Sequence, residues 1–241
     1  MIDQDQKDAL FRQWARIAAA LASPARLQLL SRLSHGTKSV EELARLTNQS
    51  MGATSAHLKV LRTSGLVSSK KRGKHVDYWL ATPGVTAFWL SLRELSAELL
   101  PEVRELQAAF RVDEALSALD PQGLARECES GQVVLLDLRP ASEFAQGHLP
   151  GARNVPFESL EAMRAALKKL SKGRRIYAYC HGPYCLIAVE GVRKLRAAGI
   201  AAQRLAFSVP EWQVAQRAGA LDLFGPGKRP GTCLFTSQAA A

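Results

Sequence analysis

The sequence predicts two domains of different class: a mainly α unit with one β-hairpin, then an α/β unit built on a parallel sheet. Three observations predict this. Apolar residues recur at helical spacing up to about Phe110, broken by a single pair of short strands between Leu66 and Leu80. Beyond Pro121, short continuous apolar runs alternate with helical stretches. At 241 residues and 47% hydrophobic content, the chain can fill two modest cores. The expected boundaries are 1–110, a connecting stretch 111–120, a second domain 121–224 and an irregular tail 225–241.

Composition excludes several classes. No apolar run approaches the ~20 residues of a membrane span, so no membrane partner is expected. The N-terminus, MIDQDQKDAL, lacks a signal peptide's basic region and apolar core, and a cytoplasmic protein is expected. The four cysteines, Cys128, Cys180, Cys185 and Cys233, then read as reactive or buried thiols rather than a disulfide framework. A net charge of +10 favours a polyanionic partner.

The elements of the first domain follow in order. Phe11, Trp14, Ile17, Ala18 and Leu21 mark the first helix. Ser23-Pro24 is an N-cap followed by proline at the first helical position, and His35-Gly36 ends that second helix. Ser39 to Glu42 has capping-box spacing and opens a short helix through Leu46. Asn48, Gln49 and Ser50 make a turn and a new N-cap. The next helix stops at Gly65, with Thr54, Leu58 and Leu61 inward and Gly52, Ser55 and Lys59 outward. A hairpin follows, Leu66–Lys70 and Val76–Leu80, with Arg72-Gly73-Lys74 at its tip. Val85 to Phe110 reads as a long helix that Pro101 kinks or splits.

No acidic residue lies between Glu42 and Asp77, whereas Arg45, Lys59, Arg62, Lys70, Lys71, Arg72 and Lys74 do. A short helix, a turn, a second helix and a basic hairpin compose a winged helix-turn-helix. Gln49, Ser50, Gly52, Ser55 and Lys59 are the expected DNA contacts of the second helix. Lys70, Lys71, Arg72 and Lys74 are those of the wing.

SPARLQLLSRL, SVEELARLT, QSMGATSAHLKVLRTSGLV and RGKHVDYWL together resemble the ArsR-type family of small bacterial repressors, over roughly Trp14 to Ala81. The resemblance implies a homodimer built by the first and last helices on a pseudo-palindromic, double-stranded DNA operator. Metal-sensing members carry a Cys-x-Cys pair where Ser39 and Glu41 stand here. His35, His57 and His75 match no common zinc spacing, so no metal is expected in this domain.

In the second domain, Gln132–Asp137, Arg175–Tyr179 and Ala201–Leu205 read as strands, and Glu158–Leu170 and Leu186–Ala197 as helices. Such alternation predicts a parallel sheet, with ligands beyond the carboxyl ends of its strands. Cys180 occupies such an end. The loop after it, His181, Gly182, Pro183, Tyr184 and Cys185, turns tightly into a helix N-terminus. That placement favours a thiolate at Cys180, the nucleophile. Cys185 has two even readings, a small apolar filler or a thiol that resolves an oxidised or persulfidated Cys180. Cys128 reads as structural and Cys233 as a spare thiol.

This strand–Cys–loop–helix, with LLDLR at 135–139, EFAQGHLPGARNVP at 143–156 and Pro210-Glu211-Trp212, resembles the rhodanese family over roughly Pro121 to Ala215. The resemblance implies a persulfide on Cys180 between a sulfane-sulfur donor and a thiol acceptor. Asp137, Arg139, Glu143 and His148 are expected to form turns and networks. Related phosphatases need an arginine where Leu186 stands, so phosphate chemistry is not expected. Where glycine usually precedes the closing motif, this chain has Ser208 or Val209. No cofactor is expected.

Two functions remain from the sequence. One is a DNA-binding regulator, in the repressor manner, whose rhodanese domain senses reactive sulfur or oxidant. The other is a sulfurtransferase with an attached DNA-binding module. Arsenical binding at the Cys180–Cys185 pair is a weaker third reading.

Overall fold

The computed structural model describes residues 3–110, 116–129, 131 and 133–217, which divide into two compact units, Met1–Arg93 and Glu94–Ala241. Half of the expected connecting stretch (111–115), the expected tail and Cys233 lie outside the described residues. No helix among them is long and apolar enough to cross a membrane.

The first unit runs α1 (Gln4–Leu21), α2 (Pro24–Leu33), β1 (Lys38–Ser39), α3 (Val40–Thr47), α4 (Met51–Thr63), β2 (Val67–Arg72), β3 (His75–Leu80) and α5 (Pro83–Leu99), whose end passes into the second unit. The caps lie where the sequence puts them. Ser39 Oγ accepts from Glu42 N at 3.2 Å, and Ser50 Oγ accepts from Ala53 N at 3.2 Å. Between them Asn48 takes the left-handed conformation, φ 53°, that turns the chain out of α3. Thr54, Leu58 and Leu61 are fully buried as expected. Leu58 and Leu61 meet Leu29, Leu30, Leu33, Leu43 and Val67 in one core. The hairpin is longer than predicted: β2 and β3 pair from Val67↔Leu80 to Arg72↔His75, leaving Gly73-Lys74 as a two-residue turn. β1 adds a short antiparallel edge to β3.

The predicted helix from Val85 to Phe110 is split. Leu100 is extended, and Pro101 opens α6 (Pro101–Ala109), because proline has no N–H to give and clashes with a continuing turn.

The second unit continues with α7 (Pro121–Glu129), β4 (Val133–Asp137), α8 (Ala141–Gln146), β5 (Arg153–Asn154), α9 (Arg164–Leu170), β6 (Arg175–Tyr179), α10 (Leu186–Ala197), β7 (Ala202–Arg204) and α11 (Val209–Arg217). The sheet is parallel throughout, in the order β5-β4-β6-β7. Alternate residues face opposite layers. Val134, Leu136, Ile176, Ala178 and Cys180 pack with Leu167 of α9 and Ala188, Val192 and Leu195 of α10. Leu135, Tyr177 and Tyr179 pack with Leu124 of α7 and Val209 and Trp212 of α11. Burial on both faces explains the continuous apolar runs.

The predicted helix 158–170 begins only at Arg164, after a 3-10 turn at Phe157–Ser159. α7, α8, α11, β1 and β5 were not legible as elements in the sequence. Gly191 lets α10 approach the sheet. A Cβ there would lie 2.5 Å from Leu138 Cδ1, in a packed core. Gly191→Ala is expected to destabilise the second unit by ~1–3 kcal/mol, seen as a lower thermal midpoint.

Candidate functional site

β6 ends at Tyr179 and delivers Cys180 to the layer beneath α10, where its side chain is buried. His181 turns back over it. His181 Nδ1 lies 3.1 Å from Cys180 Sγ and 4.0 Å from Cys185 Sγ, while Nε2 lies 2.8 Å from Glu143 Oε2. The sequence reading of Glu143 as a network former is therefore incomplete: α8 aims this buried carboxylate at the histidine of the thiol loop. Behind it, Arg139 pairs with Asp137 at 2.6 Å and donates to Gly147 O at 2.7 Å, with Arg139 Nη1 4.0 Å from Glu143. Asp137 and Arg139 thus form the expected network. His148 stacks on Phe144 and bonds its carbonyl, away from the thiols.

The loop is fastened from below. Gly182 has φ +95°, a conformation side chains strain to adopt, and a Cβ there would come within 3.4 Å of Glu211 Oε1. Ser208, wholly buried, donates its hydroxyl to Cys180 O, and Glu211 Oε2 accepts from Ser208 N at 3.0 Å. A serine where glycine is usual thus has a role, holding the thiol-bearing residue by its carbonyl. Arg204, also wholly buried, donates to Pro183 O at 2.9 Å and to Phe110 O at 2.8 Å. Phe110 sets its ring edge-on to Tyr184, centroids 5.6 Å apart. Sequence reasoning missed Arg204 and marked Ser208 and Glu211 only as motif positions, without their hold on the loop; only the return of β7 and α11 to the end of β6 brings them in.

The two thiols are shifted in opposite directions. Interaction with the Cys185 sulfur, and then burial, raise the Cys180 thiol. Interaction with the Cys180 sulfur, helped by His181 against the cost of burial, lowers Cys185 to about 4. The two sulfurs hold their protons as one pair, and Cys185, the less buried, stands at the N-cap of α10, where the helix dipole also favours its thiolate. Burial opposes a charged His181, yet the bonds to Cys185 and Glu143 together raise it. The site therefore sets two sulfurs beside an imidazole braced by a carboxylate. Leu186, at the position where phosphatases carry arginine, is 69% exposed and offers no anion grip.

In the first unit, Gly52, Ser55 and Lys59 lie exposed on one face of α4, with Ser50 exposed at its start and Gln49 half-buried. Lys70, Lys71, Arg72 and Lys74 are exposed on the wing. Arg72 Nε bonds Asp77 Oδ2 at 3.0 Å across the hairpin. His75 faces Glu41 at 3.6 Å, and His35 is buried. The group that gathers metal-ligand atoms among the described residues is Cys180, His181 and Cys185, all within 4.8 Å of one another.

The bacterial regulatory protein, arsR family, matches residues 23–69, and the rhodanese-like domain matches residues 120–215. HTH-type transcriptional regulator Rv0324 of Mycobacterium tuberculosis is 36% identical over 211 residues, which cover 88% of this chain and 92% of that protein. HTH-type transcriptional regulator YgaV of Escherichia coli is 34% identical over 97 residues, 39% of this chain and 97% of its own length. Among solved structures, the homodimeric winged helix-turn-helix DNA-binding domain Mb0332 (fragment 1–100) from Mycobacterium bovis is 33% identical. It covers 42% of this chain and 93% of its own, with a TM-score of 0.39. A helix-turn-helix unit and a rhodanese-like unit, shared along nearly the whole length of a transcriptional regulator, place this chain in the arsR family of bacterial regulatory proteins, with a rhodanese-like domain joined behind its DNA-reading module.

Proposed function

We propose that the protein grips a symmetric DNA operator in the cytoplasm as a homodimer, and that reactive sulfur or an oxidant at Cys180 changes that grip. The observation that carries this is the Cys180–His181–Glu143 chain with Cys185 in reach. Apolar side chains left exposed on α1 and α5, among them Phe11, Trp14, Phe88 and Leu95, support the dimer. The exposed face of α4 and the basic wing support the DNA contact.

The sulfane donor is the two-electron oxidant. Cys180 gives up its proton to solvent, and its thiolate attacks the outer sulfur of a donor such as thiosulfate. Sulfite leaves, and Cys180 carries the persulfide. Cys185, as the thiolate, then attacks the inner sulfur of the persulfide protonated on its outer sulfur, hydrosulfide leaves, and a disulfide remains. Either product changes the loop that Arg204 ties to Phe110 at the end of α6. α6 follows α5 after the single residue Leu100, so the end of the proposed dimer helix feels the loop.

Coupling of ~1–3 kcal/mol is expected to change operator affinity by roughly 5–150-fold. The test measures that affinity before and after a sulfane donor, in wild type, Cys180→Ser and Cys185→Ser. Loss of response in Cys180→Ser alone identifies a persulfide switch, and loss in both identifies the disulfide. Equal wild-type affinity before and after treatment overturns the sensor reading and leaves a sulfurtransferase with a DNA-binding module.

A further inference from the structure

We propose that Cys180, His181 and Cys185 form a binding site for a thiophilic d10 divalent cation, zinc or cadmium, with Glu143 orienting the histidine. The three donor atoms converge from a strand end, a loop and a helix N-cap, all within 4.8 Å. Bond lengths of ~2.3 Å to sulfur and ~2.0 Å to nitrogen at tetrahedral angles put such donors about 3.5–3.8 Å apart. The nitrogen–sulfur distances, 3.1 and 4.0 Å, bracket that spacing, so small side-chain rotations close the site.

The histidine is already presented as a ligand. Its Nδ1 faces both sulfurs and its Nε2 bonds a buried carboxylate, an arrangement that fixes the tautomer and strengthens the nitrogen's donation to a metal. Around it, Asp137 and Glu143 carry two negative charges against the one positive charge of Arg139, a surplus that favours a cation. Two sulfurs and one imidazole leave a fourth position for water or a small ligand. On binding, protons still held by the three donors pass to solvent, and no electron moves. This site uses the same sulfurs as the sulfur chemistry but does not depend on it. A bound cation removes both thiolates from reaction, so the two ligands exclude each other.

The test uses the full chain with Cys128 and Cys233 replaced by serine, titrated with Cd²⁺ in metal-free buffer with a phosphine reductant. The ultraviolet thiolate-to-cadmium band should grow and saturate at a single cation per chain. Cys180→Ser and Cys185→Ser should each weaken binding at least about tenfold and cut the band. His181→Gln should weaken binding with the sulfur band retained, and Glu143→Gln should cost about 10–100-fold in affinity. Thermal melts establish that each variant is folded; should Glu143→Gln fail to fold, His181→Gln decides the histidine's part. Saturable binding unchanged in either cysteine variant, or no saturable band in the parent protein, overturns the site. Neither result depends on sulfur transfer.

Discussion

Alkylated with iodoacetamide at pH 6 in metal-free buffer, the protein should take up reagent at Cys185 far faster than at Cys128. Cys185 is lowered to about 4, so it is a thiolate at every pH above that value and loses the charge only as pH falls through it. Its labelling should stay nearly flat from pH 8 to 5 and then drop. Cys128 moves the other way, because burial raises its thiol. At pH 6 it is almost wholly protonated, and its small thiolate fraction falls tenfold with each unit of pH lost. Low basicity makes the Cys185 thiolate a weaker nucleophile per molecule, which recovers part of that ratio but not all of it. The advantage should therefore remain above about tenfold. Peptide mapping by mass spectrometry reads both sites in one sample. Cys180→Ala should move the Cys185 midpoint upward, since interaction with the Cys180 sulfur is the largest cause of its low value. A Cys185 rate that climbs steadily from pH 6 to 9 would contradict the lowered Cys185 thiol.

Operator affinity should collapse with salt. Seven cations, Arg45, Lys59, Arg62, Lys70, Lys71, Arg72 and Lys74, are exposed in a stretch without an acidic residue. A homodimer presents two such sets. If 6–10 phosphates are neutralised, affinity falls by roughly 10³–10⁵ between 50 and 200 mM salt, because each contact releases condensed counterions. Each lost phosphate contact should lower the slope of log affinity against log salt by about one unit. Lys71→Ala and Lys74→Ala should weaken binding on all sequences alike. Arg72→Ala should cost less, since Asp77 already neutralises that guanidinium at 3.0 Å. Ser55 and Lys59, on the outward face of α4, should change sequence preference instead. Fluorescence anisotropy at four salt concentrations measures the slope. A flat salt response would remove the wing from the interface.

Local signals were enough for much of this molecule. The caps at Ser39 and Ser50, the inward Thr54–Leu58–Leu61 stripe, the three longer strands of the parallel sheet and α10 were all legible, because each depends on neighbours within a turn or on a short continuous apolar run. The thiol loop was legible for the same reason: strand, cysteine, Gly-Pro turn and helix follow one another in the chain. Elements with weak or interrupted patterns were not. α8 has six residues and β5 two, so neither carries a full period. The late start of α9 follows from a 3-10 turn that leaves the apolar spacing nearly unchanged.

Tertiary structure alone decided the chemistry of the site. Glu143 precedes His181 by 38 residues, and nothing near either residue announces the 2.8 Å bond between them. Arg204 reaches Phe110 across 94 residues, and Ser208 reaches Cys180 across 28. A charge assignment needs those distances as well. From sequence, a helix N-terminus favoured the thiolate at Cys180. In the fold, burial and the neighbouring sulfur raise the Cys180 thiol, while Cys185 at the less buried helix start is lowered. The sequence by itself determined which segments become helices and strands and that a cysteine stands at a strand's carboxyl end, since short-range spacing governs both. How each sulfur's proton affinity is shifted, and which distant carboxylate, arginine and serine hold the loop, depended on burial and on contacts made only when the chain closes on itself.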